Sequence, residues 1–162
     1  MRIRRAEAAD VPEILALIRE LAIYERAEDE AKATPEQLHD VLFNDQPSVF
    51  CELLDVDGAV AGFALWFRNF STWTGSYGIY LEDLFVRPEF RHRGYATDLL
   101  QYLAVECVTQ GYARFQWSVL DWNEPALAFY RSLGAVAMDE WTTYRLAGPA
   151  LAAFAAREKS AE

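Results

Sequence analysis

The run Arg91-His92-Arg93-Gly94-Tyr95-Ala96 joins a segment built like a strand to one built like a helix, which commits the chain to an α/β arrangement. Upstream, residues 79–86 have strand composition, and Pro88 stops the strand. Downstream, Ala96, Leu99, Leu100, Leu103, Ala104 and Cys107 recur at helical spacing and form one apolar face. Gly94 lies at the bend, beside the unpaired N–H groups of the helix's first turn, where no side chain blocks them. Such a turn suits a phosphate. It is not a P-loop, which needs Lys and Ser or Thr after the glycine, because Tyr95-Ala96-Thr97 follow Gly94. Nor is it a three-glycine dinucleotide turn.

A second segment carries similar punctuation. After a strand expected at 113–120 comes Asp121-Trp122-Asn123-Glu124-Pro125-Ala126-Leu127-Ala128-Phe129-Tyr130-Arg131-Ser132-Leu133-Gly134. Asn123 suits an N-cap, Glu124-Pro125 a first turn, and Gly134 the left-handed residue that ends a helix, so a helix of about ten residues is expected. The two patterns, Arg-x-x-Gly-x-Ala at 91–96 and Asn-x-x-Ala-x-x-Phe-Tyr-x-x-x-Gly at 123–134, resemble the pyrophosphate and coenzyme A motifs of the GNAT acetyltransferases. Phe70-Ser71-Thr72-Trp73-Thr74-Gly75, Tyr80-Leu81-Glu82-Asp83-Leu84-Phe85-Val86, Trp122-Asn123-Glu124-Pro125 and Leu17-Ile18-Arg19-Glu20-Leu21-Ala22-Ile23-Tyr24-Glu25 are similar to the diamine (spermidine/spermine) branch of that family. The resemblance runs from Ile3 to about Leu146. It implies acetyl-CoA as cosubstrate and a fold in which two central strands part to admit the pantetheine arm.

The remaining elements are read from local signals. A strand is expected at residues 2–6, and Asp10-Val11-Pro12-Glu13 opens a helix that buries Ile14, Leu17, Ile18 and Leu21. Thr34-Pro35-Glu36-Gln37 is a capping box that starts a second helix. Strands at 48–56 and 59–68 flank the hairpin pair Asp57-Gly58, followed by a loop at 69–78 and a last strand at 141–146. The expected fold is α/β and single-domain, a mixed, mostly antiparallel sheet of about six or seven strands with helices on both faces. Residues 1–148 would make the acetyltransferase domain, and 149–162 a peripheral or frayed tail.

Composition excludes several classes. At 162 residues the chain is one ordinary domain, and no stretch reaches the roughly 18 apolar residues of a membrane span. A formal charge of −10 argues against general nucleic-acid binding, which needs basic patches. That acidity serves either solubility or the steering of a cationic substrate. Cys51 and Cys107 lack Cys-x-x-Cys spacing and read as buried, reduced thiols, so no metal site is expected. With Met1-Arg2-Ile3-Arg4-Arg5 unlike a signal peptide, the expected location is cytoplasmic.

Acetyl transfer to an amine sets the chemistry to look for. An alkylammonium titrates near about 10.4 and cannot attack a thioester, so one group must take a proton and another must protonate the departing thiolate. Glu82 is the candidate base, acting directly or through water, with a purely structural ion pair as its alternative; the resemblance implies that it also contacts the acceptor amine. Asp83 would point to the opposite face of a regular strand, and a bulge would break that alternation. Tyr130 is the candidate acid, with simple packing as its alternative.

Cofactor contacts are expected from the backbone of Leu84, Phe85 and Val86, from the N–H groups of His92, Arg93, Gly94, Tyr95, Ala96 and Thr97 with charge from Arg91 or Arg93, and from Asn123 and Ala126. His39 reads as surface. The resemblance implies that Tyr24 and Glu25, with Glu28 as a further candidate, hold a distant ammonium, and Trp73 offers an aromatic face to a cation. Ser71 and Thr142 replace two acids of the polyamine enzymes, which weakens the case for long polyamines and keeps thialysine-like amino acids and short diamines open. A protein or peptide acetyltransferase and a silent coenzyme-A-binding module are the competing readings. The branch also implies a homodimer, with residues 24–30 serving a partner's site.

Overall fold

Asp57 and Gly58, with φ of +50° and +84°, take the two left-handed positions of a tight hairpin turn and so join β2 (Val49–Val56) to β3 (Ala59–Ser71). The computed structural model describes residues 1–157. β3 is longer than its composition indicates, because Asn69 pairs with Gly78, Phe70 with Tyr77 and Ser71 with Ser76. β4 (Ser76–Val86) therefore starts early, and the expected loop at 69–78 shrinks to a turn at 72–75, closed by the Gly75 N–H donating to the Ser71 carbonyl at 2.8 Å. Cross-strand pairing overrode the polar and glycine content that marked a loop; the Phe70 and Tyr77 rings meet edge to face at 5.5 Å.

β1 (Arg2–Arg5) pairs antiparallel with β2, and β5 (Arg114–Trp117) pairs parallel with β4, giving the order β1-β2-β3-β4-β5. Among the described residues the sheet has five strands where six or seven were expected. Residues 141–146, expected as the last strand, have no ladder among the described residues: Trp141 and Tyr144 are exposed, and a strand exists only through the hydrogen bonds of a neighbour.

Two compact units divide the chain, Met1–Ser118 and Val119–Glu162. In the first, α1 (Val11–Tyr24) and α2 (Pro35–Phe43) cover one face of the sheet; Ile14, Leu17, Leu21, Leu38 and Leu42 pack with Cys51, Leu53, Phe63, Leu65 and Phe85. The opposite face belongs to α3 (Tyr95–Thr109), whose Leu99, Leu100, Leu103 and Cys107 are buried. Burying a side chain of this size contributes about 1.5–3 kcal/mol, which explains why these stripes set the layering.

The capping box at α2 forms as read: Thr34 Oγ1 accepts from the Gln37 N–H, and Gln37 Oε1 accepts from the Thr34 N–H. Asp10 precedes α1 but does not cap it. Arg4 takes its carboxylate at 2.7 and 2.9 Å, and the same carboxylate accepts the Glu7 N–H, so a stronger charged partner won. Arg87, just after β4, is ion-paired to Glu13 and Glu20 and donates to the Val60 carbonyl, which ties α1 to the sheet. Cys51 and Cys107 are free and buried, and burial pushes both thiols up. His39 is exposed.

The second unit holds α4 (Glu124–Ser132) and α5 (Gly148–Ala155). Residues 148–155, in the stretch read as a peripheral or frayed tail, are helical and exposed. The terminal Lys159-Ser160-Ala161-Glu162 lies outside the described residues.

Candidate active site

Backbone geometry alone makes the turn before α3 an anion receptor. His92 and Gly94 both have positive φ, +60° and +83°, and Gly94 is the N-cap of α3 with no side chain bonded across the helix end. Alternation of this kind points successive N–H groups into one concavity, and the helix dipole adds its positive end. Among the described residues, no acceptor is recorded for the N–H groups of residues 92–97, and the first N–H bonded back belongs to Asp98, to the Gly94 carbonyl at 3.0 Å. A Cβ built on Gly94 would meet nothing within 4 Å, so the concavity opens outward. These features fit the pyrophosphate of coenzyme A. His92 is exposed; its contribution is a left-handed backbone that nothing in its sequence context announced.

The strand before this turn offers an open edge. β4 and β5 ladder only over Gly78 to Leu81 and Arg114 to Trp117, whereas β4 continues through residues 82–86 with β3 on one side and no strand of the first unit on the other. Leu84, Phe85 and Val86 therefore present backbone to an extended ligand, as a pantetheine arm requires. The Val86 carbonyl accepts from Arg91 Nε at 2.8 Å.

A bulge re-aims the carboxylates. Leu65 pairs with Asp83 but Trp66 pairs with Leu81, which leaves Glu82 as the extra residue of β4. Without it, Asp83 would follow Leu81 onto the α3 face. With it, Asp83 joins Leu65 and Cys51 on the α1/α2 face, while Glu82 stays exposed. Burial first, then the charges of Glu82 and Glu25, push the Asp83 carboxyl up to about 7. The bulge thus breaks the alternation that a regular strand would impose on Glu82 and Asp83. Glu25, at the C-terminal end of α1, is itself held above the ordinary carboxylate range by burial.

Arg91 braces the turn from within the chain. Its guanidinium lies 4.9 Å from the Tyr24 ring centroid and 5.4 Å from that of Phe85, besides its bond to Val86. Arg93 is exposed and donates to the Glu89 carbonyl at 3.3 Å. Thus Tyr24, Glu25, Asp83, Phe85 and Arg91 come together from three separate stretches. Trp73 does not join them within the chain: it tops the β3–β4 turn, 83% exposed, about 20 Å along β4 from Glu82 at ~3.3 Å per residue. Glu28 lies exposed in a short 3-10 turn after α1.

In the second unit, Asn123 Oδ1 accepts the Ala126 N–H at 3.3 Å and so caps α4, as its sequence position predicts. Gly134, at φ +83°, ends the helix, and its N–H donates to the Arg131 carbonyl. Asn123 is buried, whereas Ala126, Phe129 and Tyr130 are half-buried, with the two rings 5.3 Å apart.

Comparison with known proteins places this geometry. The family model described as the acetyltransferase (GNAT) family matches residues 13–135. A thialysine N-epsilon-acetyltransferase of Sus scrofa is 36% identical over 92% of this chain and 94% of its own. The L-ornithine N5-acetyltransferase NATA1 of Arabidopsis thaliana is 32% identical over 94% of this chain and 86% of its own. Among solved structures, an integron cassette protein from the mobile metagenome of V. cholerae superposes with a TM-score of 0.80 at 28% identity, covering 96% of this chain and 98% of that one.

Proposed function

The chain belongs to the acetyltransferase (GNAT) family and is an N-acetyltransferase, and on that premise we propose that it moves an acetyl group from acetyl-CoA to a primary amine of a small cationic acceptor. The observation that carries this reading is the turn at residues 92–97, whose unclaimed N–H groups follow directly on the open edge of β4 and its carboxylates. Acetyl-CoA is the family's cosubstrate; its pyrophosphate would rest on that turn and its pantetheine along Leu84, Phe85 and Val86. When bound, it supplies a thioester carbonyl open to attack by a neutral amine.

The protein's part is to position and to move protons. Glu82, exposed on the bulge, accepts a proton from the acceptor's ammonium, directly or through one water. The nitrogen then forms its bond to the acetyl carbon as the carbon–sulfur bond breaks, and Tyr130 donates a proton to the sulfur. Tyr24, Glu25 and Asp83 supply an aromatic ring and carboxylates for a second cationic group of the acceptor, a role supported by their clustering beside Arg91 and Phe85. Asn123 and Ala126 contribute at the start of α4.

The acceptor favoured is a diamino acid of thialysine or ornithine type, as the names of the relatives suggest and as Ser71 and Thr142 in place of acids support. The same reading makes the protein a cytoplasmic homodimer that uses no metal. The exposed rings of Phe70, Trp73 and Tyr77 on one hairpin support a contact between copies.

Thiol release from acetyl-CoA, measured across thialysine, ornithine, lysine, diaminopropane, spermidine and a lysine-containing peptide, tests the assignment. Diamino acids should rank above spermidine and the peptide. Turnover with the peptide alone would replace a small acceptor by a protein, and coenzyme A binding with no turnover on any amine would leave a silent binding module.

A further inference from the structure

A second polar cavity lies on the α3 face, remote from the turn at Gly94. It encloses about 560 Å³ and is lined by Arg5, Phe50, Trp66, Arg68, Glu106 and Gln110, with Gln46, Pro47 and Tyr112 at its margin. Glu106 and Gln110 stand at the C-terminal end of α3, and at ~1.5 Å per residue the helix separates them from Gly94 by about 18 and ~24 Å.

Two guanidinium groups share one aromatic floor. Arg5 lies 4.9 Å from the Phe50 ring centroid and 5.4 Å from that of Trp66; Arg68 lies 5.8 Å from Phe50 and 5.8 Å from Tyr77. A guanidinium resting over an aromatic face loses side-chain freedom before any ligand arrives, which prepares it for an anion. Arg68 makes no ion pair recorded among the described residues, although acidic side chains outnumber basic ones in the chain by 25 to 15.

Beneath this floor lies a carboxylate that stability does not explain. Glu52 has no exposure; its Oε1 takes Arg5 Nε at 3.0 Å and Trp66 Nε1 at 3.4 Å, and its Oε2 has no hydrogen-bond partner. A buried ion pair with one oxygen unsatisfied is worth little or less than nothing against an apolar replacement. What Glu52 does accomplish is to hold Arg5 through Nε and the Trp66 indole through its N–H at the cavity wall. Glu106, on the α3 wall, accepts from Gln110 Nε2 at 3.1 Å and limits the positive charge of the site.

The geometry points to a binding site for a small organic anion, a carboxylate or phosphate head between Arg5 and Arg68 with a flat body over Phe50 and Trp66. Bidentate contacts from two stacked arginines match either head group. The site does not depend on the acetyl-transfer assignment and is distinct from the pyrophosphate turn.

The test uses the full chain with saturating coenzyme A, which occupies the turn, and follows the Trp66 indole N–H by nuclear magnetic resonance. Benzoate and phenyl phosphate are titrated separately, with benzylamine as the charge-reversed control. At least one anion should saturate at a Kd of roughly 1 mM or tighter. Arg68→Gln should weaken it about tenfold, Arg68→Lys less, and Glu106→Gln should tighten it. Saturation by benzoate alone assigns a carboxylate ligand, and by phenyl phosphate alone a phosphorylated one. Linear shifts with no saturation, equal response to benzylamine, or a Kd unchanged by Arg68→Gln would each overturn the site.

Discussion

The Arg91 guanidinium rests 4.9 Å from the centre of the Tyr24 ring, so the end of α1 and the turn leading into α3 share one contact. It links the region expected to hold the acceptor with the region expected to hold the cosubstrate. A cation over an aromatic face contributes about 0.5–1 kcal/mol. Tyr24→Leu should therefore raise the KM for acetyl-CoA about two- to fivefold, while Tyr24→Phe, which keeps the ring face, should restore it. Equal KM values for Tyr24→Leu and the parent would remove the brace.

Gly94 combines a φ of +83° with open space where a side chain would stand. An alanine there costs roughly 1–2 kcal/mol in backbone strain and places a methyl group in the mouth of the concavity. Gly94→Ala should lower the affinity for coenzyme A by more than that strain alone explains, about tenfold or more, with only a few degrees lost in Tm. Calorimetry and thermal unfolding separate the two effects. A Tm loss with unchanged affinity would show that no anion approaches Gly94.

Asp83 makes stability depend on pH in a defined direction. Its folded carboxyl is pushed up to about 7 from 3.8, chiefly by burial, so the folded state keeps a proton that the unfolded state has lost. The contribution is most favourable below 3.8 and is lost progressively as pH rises toward 7. Asp83→Asn, which cannot ionise, should be stabilising relative to the parent at pH 8 by on the order of 2 kcal/mol, allowing for partial solvent screening, and by little at pH 4. Chemical denaturation at the two pH values measures the difference. A constant difference would mean that Asp83 ionises normally.

Tyr130→Phe removes the proposed acid while keeping a ring beside Phe129. Turnover should fall by about 10²-fold or more with the KM for acetyl-CoA within twofold, since general acid catalysis contributes on that scale. Steady-state kinetics with the preferred diamino acid provide the measurement. Full turnover in this variant would leave Tyr130 as a packing residue.

Much of the architecture was legible because it rests on local physics. The Asp57-Gly58 turn, the Thr34 capping box, the Asn123 cap, the glycine endings and the apolar stripe of α3 each depend on residues within a few positions of one another, so spacing alone sufficed. The family motifs at 91–96 and 123–134 are legible for the same reason: the first is a turn and the opening of a helix, the second one short helix from its cap to its closing glycine.

What escaped depends on partners distant in the chain. Whether 69–71 and 76–78 were loop or ladder was decided by pairing between them, and 141–146 stayed irregular because no strand among the described residues supplies its hydrogen bonds. The extra residue at Glu82 exists only through the register of β3 against β4, yet it sets which face Asp83 occupies and so raises its pKa. The contact of Arg91 with Tyr24, 67 positions earlier, likewise has no local signal. Sequence by itself determined the turns, caps and apolar faces, whose energies are short-ranged along the backbone. Tertiary structure alone decided register, burial and the meeting of charges, because those energies depend on distance in space.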